Sequence, residues 1–343
     1  MIVLGIETSC DETAAAVVNS DREVLSDCIH SQIKIHEEYL GVVPELAARS
    51  HVDYCDKVIN EVLEKANLSL YEIDAVAATA GPGLIGGLLV GLTSAKAIAC
   101  AINKPFLGIN HLDGHALMPR LTHKLDFPYL LLLISGGHSM YLSVEAPGKY
   151  IVLGQSIDDA LGEAFDKTGR LLGLGYPGGP AIEKISKNGQ KNKFIFPQPL
   201  KGRKNCDFSF SGLKTSVRQL AEKSAPLSNK DKKNIAASFQ NTICKIIEER
   251  TQNAISMFLD LHPHAKVMSA SGGVASNTEI KNVLEKVANK NNFELHVPPA
   301  KLCTDNGIMI AWEGIEHRMI GYESNYSFDA LARWPLGERT YEI

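Results

Sequence analysis

The chain has 343 residues, 45% hydrophobic and 22% charged, with 35 Lys and Arg against 39 Asp and Glu for a formal net charge of −4. This is an ordinary globular composition with enough length for about two domains. The charge balance does not announce nucleic acid, although a local basic patch or a partner subunit can supply what the average lacks.

The seven cysteines (Cys10, Cys28, Cys55, Cys100, Cys206, Cys244 and Cys303) are odd in number and scattered, with no C-x-x-C pair. That argues against a disulfide framework or a structural zinc cluster and fits reduced, cytoplasmic thiols. The N-terminus opens directly into an apolar run with no basic leader, so no secretory signal is expected. No uninterrupted apolar stretch is read as long enough to span a bilayer, and no membrane role is expected.

In chain order, Ile2 to Ile6 reads as a strand, Glu7 to Thr13 as a tight polar turn and Ala14 to Val18 as the returning strand. A third strand lies near Val24 to His30, followed by a helical pattern over Pro44 to Lys65. Next come a strand (Ala75 to Ala78), a helix after a glycine turn (Leu84 to Ala101), a strand (Phe106 to Ile109) and a helix starting near His111. The second half repeats the order. Tyr129 to Ile134, Met140 to Val144 and Tyr150 to Gly154 read as strands, with Ser135-Gly136-Gly137-His138-Ser139 as the first turn. Helices over Asp158 to Leu172 and Lys233 to Leu259 follow, then a strand (Lys266 to Ala270), a helix (Asn277 to Ala288), a strand (Phe293 to Val297) and a last helix (Asp305 to Ile320). Strands this apolar are covered on both faces, as in layered α/β folds. The division is 1–125, with a helical insertion at about 35–70, and 126–343, with an insertion at about 187–230.

His111 and His115 are four apart, which places both imidazoles on one helix face and makes a half-built metal site. The best candidate for a third ligand is Asp305; the bland alternative is two ordinary histidines, one buried and hydrogen-bonded. A zinc peptidase would carry Glu after the first histidine, where this chain has Leu112. Glycine-rich turns at Gly81 to Gly87, Ser135 to His138, Tyr176 to Pro180 and Ser271 to Asn277 follow apolar runs and can present backbone N–H groups to an anion. No P-loop is present, and no G-x-G-x-x-G stands between a strand and a helix. Asp11 in the first turn reads as a cleft carboxylate that orients or deprotonates a nucleophile, against the alternative of a turn residue bonded to its own backbone. Lys201 to Lys214 interleaves basic residues with Phe208 and Phe210, either a solvated face or a surface for RNA phosphates and base stacking.

The stretches Gly5 to Thr13, Val43 to His51, Gly81 to Leu84, His111 to His115, Ser135 to His138, Tyr176 to Pro180, Phe208 to Thr215, Gly272 to Asn277 and Thr304 to Asn306 occur in one order. Together they resemble, essentially end to end, the universal tRNA threonylcarbamoyladenosine transferase family, most closely its bacterial branch. The resemblance implies a duplicated actin-like, Hsp70 and sugar-kinase (ASKHA) fold, in which two similar α/β domains face an interdomain cleft. It implies transfer of a threonylcarbamoyl group from threonylcarbamoyl-AMP to N6 of the adenosine 3′ of the anticodon (position 37) in tRNAs reading codons that begin with adenine. His111, His115 and Asp305 match the family's ligands for one divalent metal, Fe2+ or Zn2+. Leu133, Ile134, Ser135, Gly136, Gly137, Asp166, Gly179 and Asn277 match its adenylate-binding positions, and Glu183 a position near the ribose. The bacterial partners it implies are TsaB, a shorter paralogue, and TsaE, a P-loop ATPase. Asp113 stands where many members have Glu, and Leu40-Gly41 where many have Gly-Gly. A small-molecule kinase of the same fold would explain the duplication but not the two histidines with Asp305; a non-catalytic nucleotide-binding scaffold would tolerate loss of those three residues.

Overall fold

A computed structural model describes residues 1–337. The described chain forms two compact units, one comprising 1–125, 146–150 and 304–337, the other 126–145 and 151–303.

In the first unit, β1 (Ile2–Glu7), β2 (Glu12–Asn19), β3 (Val24–Ser31), β4 (Ala75–Gly81) and β5 (Phe106–Asn110) form one sheet in the order β3-β2-β1-β4-β5. β1 and β2 pair antiparallel from Ile2↔Asn19 to Glu7↔Ala14, while β4 joins β1 in parallel. The helices are α1 (Ile33–Glu37), α2 (Pro44–Ala66), α3 (Ile85–Ile102) and α4 (His111–His123). Pro44 opens α2, where its missing N–H costs nothing, and Asn67 and Asn103 close α2 and α3 in the left-handed conformation that stops a helix.

The second unit has β6 (Tyr129–Ile134), β7 (Ser139–Ala146), β8 (Lys149–Gln155), α5 (Leu161–Leu171), α6 (Gly178–Ser186), α7 (Ser211–Lys223), α8 (Asn229–Leu261), β9 (Val267–Ser271), α9 (Thr278–Lys290), β10 (Glu294–His296) and α10 (Ala300–Cys303). Its sheet runs β10-β9-β6-β7-β8. Read from the hairpin edge, both sheets have the same order: third strand, second, first, then two more joined through helices. This is the duplication expected from sequence. The 187–230 insertion is part of the core, since Phe196, Phe208, Phe210, Leu213 and Val217 are buried among residues of β6, α5 and α8.

The last helix, α11 (Gly307–Met319), departs from the expected division. Residues 304–337 pack in the first unit rather than with the second repeat. The cause is a backbone-to-backbone fit. A Cβ at Gly307 would lie 2.4 Å from Ala15 C, and one at Gly5 would lie 2.3 Å from Ala311 N, so two glycines let α11 lie directly on β1 and β2. α3 also corrects a sequence reading: its 18 residues, with mean hydropathy 1.8, meet the length and composition of a membrane span. Here it packs within the first unit. Gly87 and Gly91 face Thr8 at distances no side chain would permit, and Leu88, Leu92, Ala95 and Ala99 are buried.

Candidate functional site

Three elements of the first unit meet at the two histidines. β1 ends in Glu7, α4 begins at His111, and the bend before α11 carries Asp305. Asn110 caps α4 by accepting the Leu112 N–H at 2.9 Å, which fixes the first turn where His111 sits. Nε2 of His115 lies 3.1 Å and Nε2 of His111 3.5 Å from the same Oδ1 of Asp305. The rings stand nearly perpendicular, 4.9 Å between centroids. Behind His111, its Nδ1 lies 3.0 Å from Glu7 Oε2 and 3.1 Å from Ser9 Oγ. Glu7 is held in turn: Oε2 accepts the Thr79 hydroxyl and Oε1 the Ser9 N–H. His115 Nδ1 is buried with no hydrogen-bond partner, so Nε2 is its one directed nitrogen.

One ligand atom from each of His111, His115 and Asp305 lies within 4.8 Å of the others. Two imidazole nitrogens and one carboxylate oxygen so arranged fit a divalent metal with coordination positions left open. The charges point the same way. Burial alone would lower the pKa of His111, but the carboxylates of Asp305 and Glu7 raise it to about 9. Burial opposes ionisation of Glu7 too, yet the His111 contact holds it below the usual carboxylate range.

Asp11 is buried in the turn between β1 and β2, and its carbonyl accepts the Gln32 N–H at 3.0 Å. The carboxyl of its neighbour Glu12 is pushed well up by burial and by the nearby Asp305 and Asp11 charges. The turn is tied to α2 through His51, whose Nδ1 meets Thr13 Oγ1 at 2.8 Å and whose Nε2 meets the Cys10 carbonyl at 3.1 Å. Sequence reading missed Glu7, Ser9 and Thr79 and left Glu12 undecided. The signal for Glu7 was available: a carboxylate directly after a fully apolar strand must find a buried partner.

The second unit gathers the other sequence-marked residues along one chain of contacts. Leu133 and Ile134 have buried side chains in β6. Ser135 closes the following turn, its N–H donating to the His138 carbonyl at 2.8 Å. A Cβ on Gly136 or Gly137 would meet nothing within 4 Å, so the turn is open on that side. Gly162 at the start of α5 donates to the Ser135 carbonyl at 3.2 Å and leaves no room for a side chain. Asp166 Oδ1 accepts the Gly178 N–H at 2.7 Å at the start of α6, so the expected turn at Tyr176 to Pro180 is in fact a helix entry. Gly179 lies in that first turn. Glu183 Oε1 accepts the Thr278 N–H at 3.1 Å, and Asn277 caps α9 by accepting from Glu279 and Ile280. The marked carboxylates and amide thus cap helices whose N-termini carry the glycine turns.

Two sequence expectations change here. Phe208 and Phe210 are buried and stacked at 5.6 Å in the core, and so offer no surface to bases. Lys214 is held by Asp159, leaving Lys201, Arg203 and Lys204 as the exposed cations of that segment. In Val43 to Val52, Ala47 and His51 are core, whereas Val52 is 64% exposed.

The family model for TsaD, tRNA N6-adenosine threonylcarbamoyltransferase, matches residues 23–312. Proteins of that name are 50% identical in Paramagnetospirillum magneticum, over 98% of this chain and 97% of theirs, and 51% identical in Brucella canis, over 100% and 97%. Among solved structures, HypF of T. kodakarensis superposes with a TM-score of 0.60 at 14% identity, over 94% of this chain and 48% of that one. Component A of the Acidaminococcus fermentans (R)-2-hydroxyglutaryl-CoA dehydratase gives 0.53 at 15%, over 94% and 100%. At that identity the likeness is one of fold.

Proposed function

The chain belongs to the TsaD family of tRNA N6-adenosine threonylcarbamoyltransferases, and from that premise we propose how its residues divide the reaction. The donor is threonylcarbamoyl-AMP, and the acceptor is N6 of the adenosine at position 37 in tRNAs reading codons that begin with adenine. The observation that carries the reading is the convergence of His111 Nε2 and His115 Nε2 on one Asp305 oxygen, with Glu7 behind His111. His111, His115 and Asp305 would hold one divalent ion, iron or zinc, both of which accept imidazole and carboxylate. Such an ion, when bound, supplies a Lewis acid and template for a phosphate or carbonyl oxygen.

In the second unit, the Ser135-Gly136-Gly137 turn offers backbone N–H groups to the adenylate phosphate without side-chain obstruction. Leu133 and Ile134 bring the strand end to that turn. Asp166, Gly179, Glu183 and Asn277 line the ends of the α6 and α9 region, where the ribose and base are held. Asp11 orients or deprotonates the incoming amine. That amine is a poor nucleophile, its lone pair being delocalised into the ring, so positioning contributes most of the acceleration. The seven free thiols suit a reducing cytoplasm.

A TsaB-like paralogue and a TsaE-like ATPase complete the system. For the paralogue we assign the α2–α3 seam. A Cβ at Gly86 would lie 2.9 Å from Ala48 Cβ, and Val52, Ile85 and Leu89, within one turn of these, are 64%, 44% and 50% exposed. Exposed apolar residues grouped in this way suit a helix-to-helix interface.

The test is single-turnover transfer from threonylcarbamoyl-AMP to unmodified tRNA with both partners present. Wild type forms threonylcarbamoyladenosine in the nucleoside digest; the His111→Ala, His115→Ala variant does not and carries no metal at that site. Full transfer by that variant would overturn the metal assignment.

A further inference from the structure

Behind the first centre, α4 and α11 enclose a second group that the transfer reaction does not use. Asp113 lies on α4 between the two histidines in sequence but, two residues from each, on a different face. Glu313 and His317 stand four apart on α11, so they share a face. His317 Nε2 lies 3.0 Å from Asp113 Oδ2 and 3.5 Å from Glu313 Oε1. The three side chains are 1%, 0% and 2% exposed for Asp113, Glu313 and His317. Asp113 Oδ1 and both carboxylate oxygens of Glu313 are buried without a hydrogen bond of good geometry, and burial beside the Asp113 carboxylate pushes the Glu313 carboxyl well above the usual carboxylate range, against a weaker pull from the Asn110 backbone.

Two carboxylates sealed from water are costly unless a shared proton neutralises one or a cation balances both. The nearest arginine on α4 is already engaged: Arg120 makes two contacts to Glu316, at 2.7 and 3.2 Å, and a third to the Leu125 carbonyl. Two carboxylates, when both are ionised, carry −2, which one divalent cation cancels. One donor atom from each residue lies within 4.8 Å of the others. Around a tetrahedral ion with bonds of about 2.1 Å, donors stand about 3.4 Å apart, and the two separations above bracket that figure.

We propose that Asp113, Glu313 and His317 form a second, structural site for a divalent transition metal, pinning α4 to α11. Carboxylate and imidazole together suit zinc or manganese. The site shares no residue with His111, His115 and Asp305 and does not depend on the transferase assignment. Being sealed, it fills as the chain folds and releases its ion only when α4 and α11 part.

The experiment loads the full chain with Zn2+ during refolding, removes loose metal with EDTA and gel filtration, and counts zinc per chain by mass spectrometry. Circular dichroism checks each variant. In the His111→Ala, His115→Ala background, one zinc per chain is expected to survive EDTA. Adding Glu313→Gln, which keeps shape and removes charge, is expected to bring the count to none and lower Tm by several degrees. On the wild-type background, Glu313→Gln lowers the count by one and removes part of the Co2+ d–d absorption in the cobalt-loaded protein. A folded His111→Ala, His115→Ala chain holding no zinc overturns the proposal. So does a Glu313→Gln chain with unchanged zinc, cobalt spectrum and Tm; the triad would then be two carboxyls sharing a proton beside His317.

Discussion

Glu7 Oε2 lies 3.0 Å from His111 Nδ1, and this contact decides which imidazole nitrogen faces Asp305. A carboxylate on Nδ1 holds the proton there and leaves the Nε2 lone pair as the ligand. Glu7→Gln should keep the fold, because the amide retains shape and can still meet Thr79 and Ser9. Metal affinity should fall by roughly 10- to 100-fold, the usual cost of losing such an outer partner. Competition against a chromophoric chelator measures it, and unchanged affinity would reduce Glu7 to a buried ion-pair partner.

The same contact sets a pH dependence in chelated protein. His111 in the fold holds its proton up to about 9, above the ordinary value of 6.5. A raised folded pKa adds stability that is complete below pH 6.5 and disappears as pH rises through about 9. The Tm of metal-free protein should therefore fall between those values, and His111→Gln should flatten that stretch of the curve. Glu7 acts in the opposite sense, its share being lost only in acid. A flat wild-type profile from pH 6.5 to 9 would contradict the assignment.

In the second unit, neighbouring glycines should respond differently to one methyl group. Gly137→Ala enters open space and should leave Tm near wild type while weakening adenylate binding by at least tenfold. Gly162→Ala would place Cβ 2.6 Å from the Ser135 carbonyl oxygen and 2.7 Å from Gly136 Cα, and should cost on the order of 1–3 kcal/mol of stability. Calorimetry with AMP, together with thermal melts, separates the two effects.

Asp11→Asn should bind threonylcarbamoyl-AMP and metal nearly normally yet transfer about 10²–10⁴-fold more slowly, as for loss of a general base. Transfer at the wild-type rate would make Asp11 a turn residue, leaving Glu12, with its raised pKa beside Asp305, as the next carboxylate to change.

Surface substitutions address the partners. Arg203→Glu with Lys204→Glu should weaken tRNA binding and make it less sensitive to salt, with the log–log slope falling by roughly 2 if both reach phosphates. Val52→Glu or Leu89→Glu should break co-purification with the paralogue at unchanged circular dichroism, because both side chains are at least half exposed. Ala47→Glu, at 1% exposure, should instead unfold the protein.

The strands were legible because they are apolar throughout and bounded by glycine and polar turns. β1, β6 and β9 fall within a residue or two of their expected limits. His111 and His115 were legible by helical spacing. Glu7 and Thr79 were not, because no spacing rule joins residues 72 apart on adjacent strands. α6 was hidden because Gly178, Gly179 and Pro180 read as a turn, and a helix can begin on such residues when a carboxylate such as Asp166 caps it. The placement of α11 was hidden in Gly5 and Gly307, whose meaning is a close approach that one-dimensional periodicity does not register.

The return of α11 to the first sheet has a consequence for the order of assembly. The β-hairpin and both histidines leave the ribosome early, yet Asp305 and the helix covering β1 and β2 follow the whole of residues 151–303. During synthesis the first unit must wait as an open-faced sheet while its neighbour, contiguous but for one short excursion, can fold ahead of it. An ion captured at His111 and His115 before then would be loosely held. Tight retention therefore reports that translation has passed Asp305, and nascent chains stalled before that residue should lose their metal to a chelator that the finished protein resists.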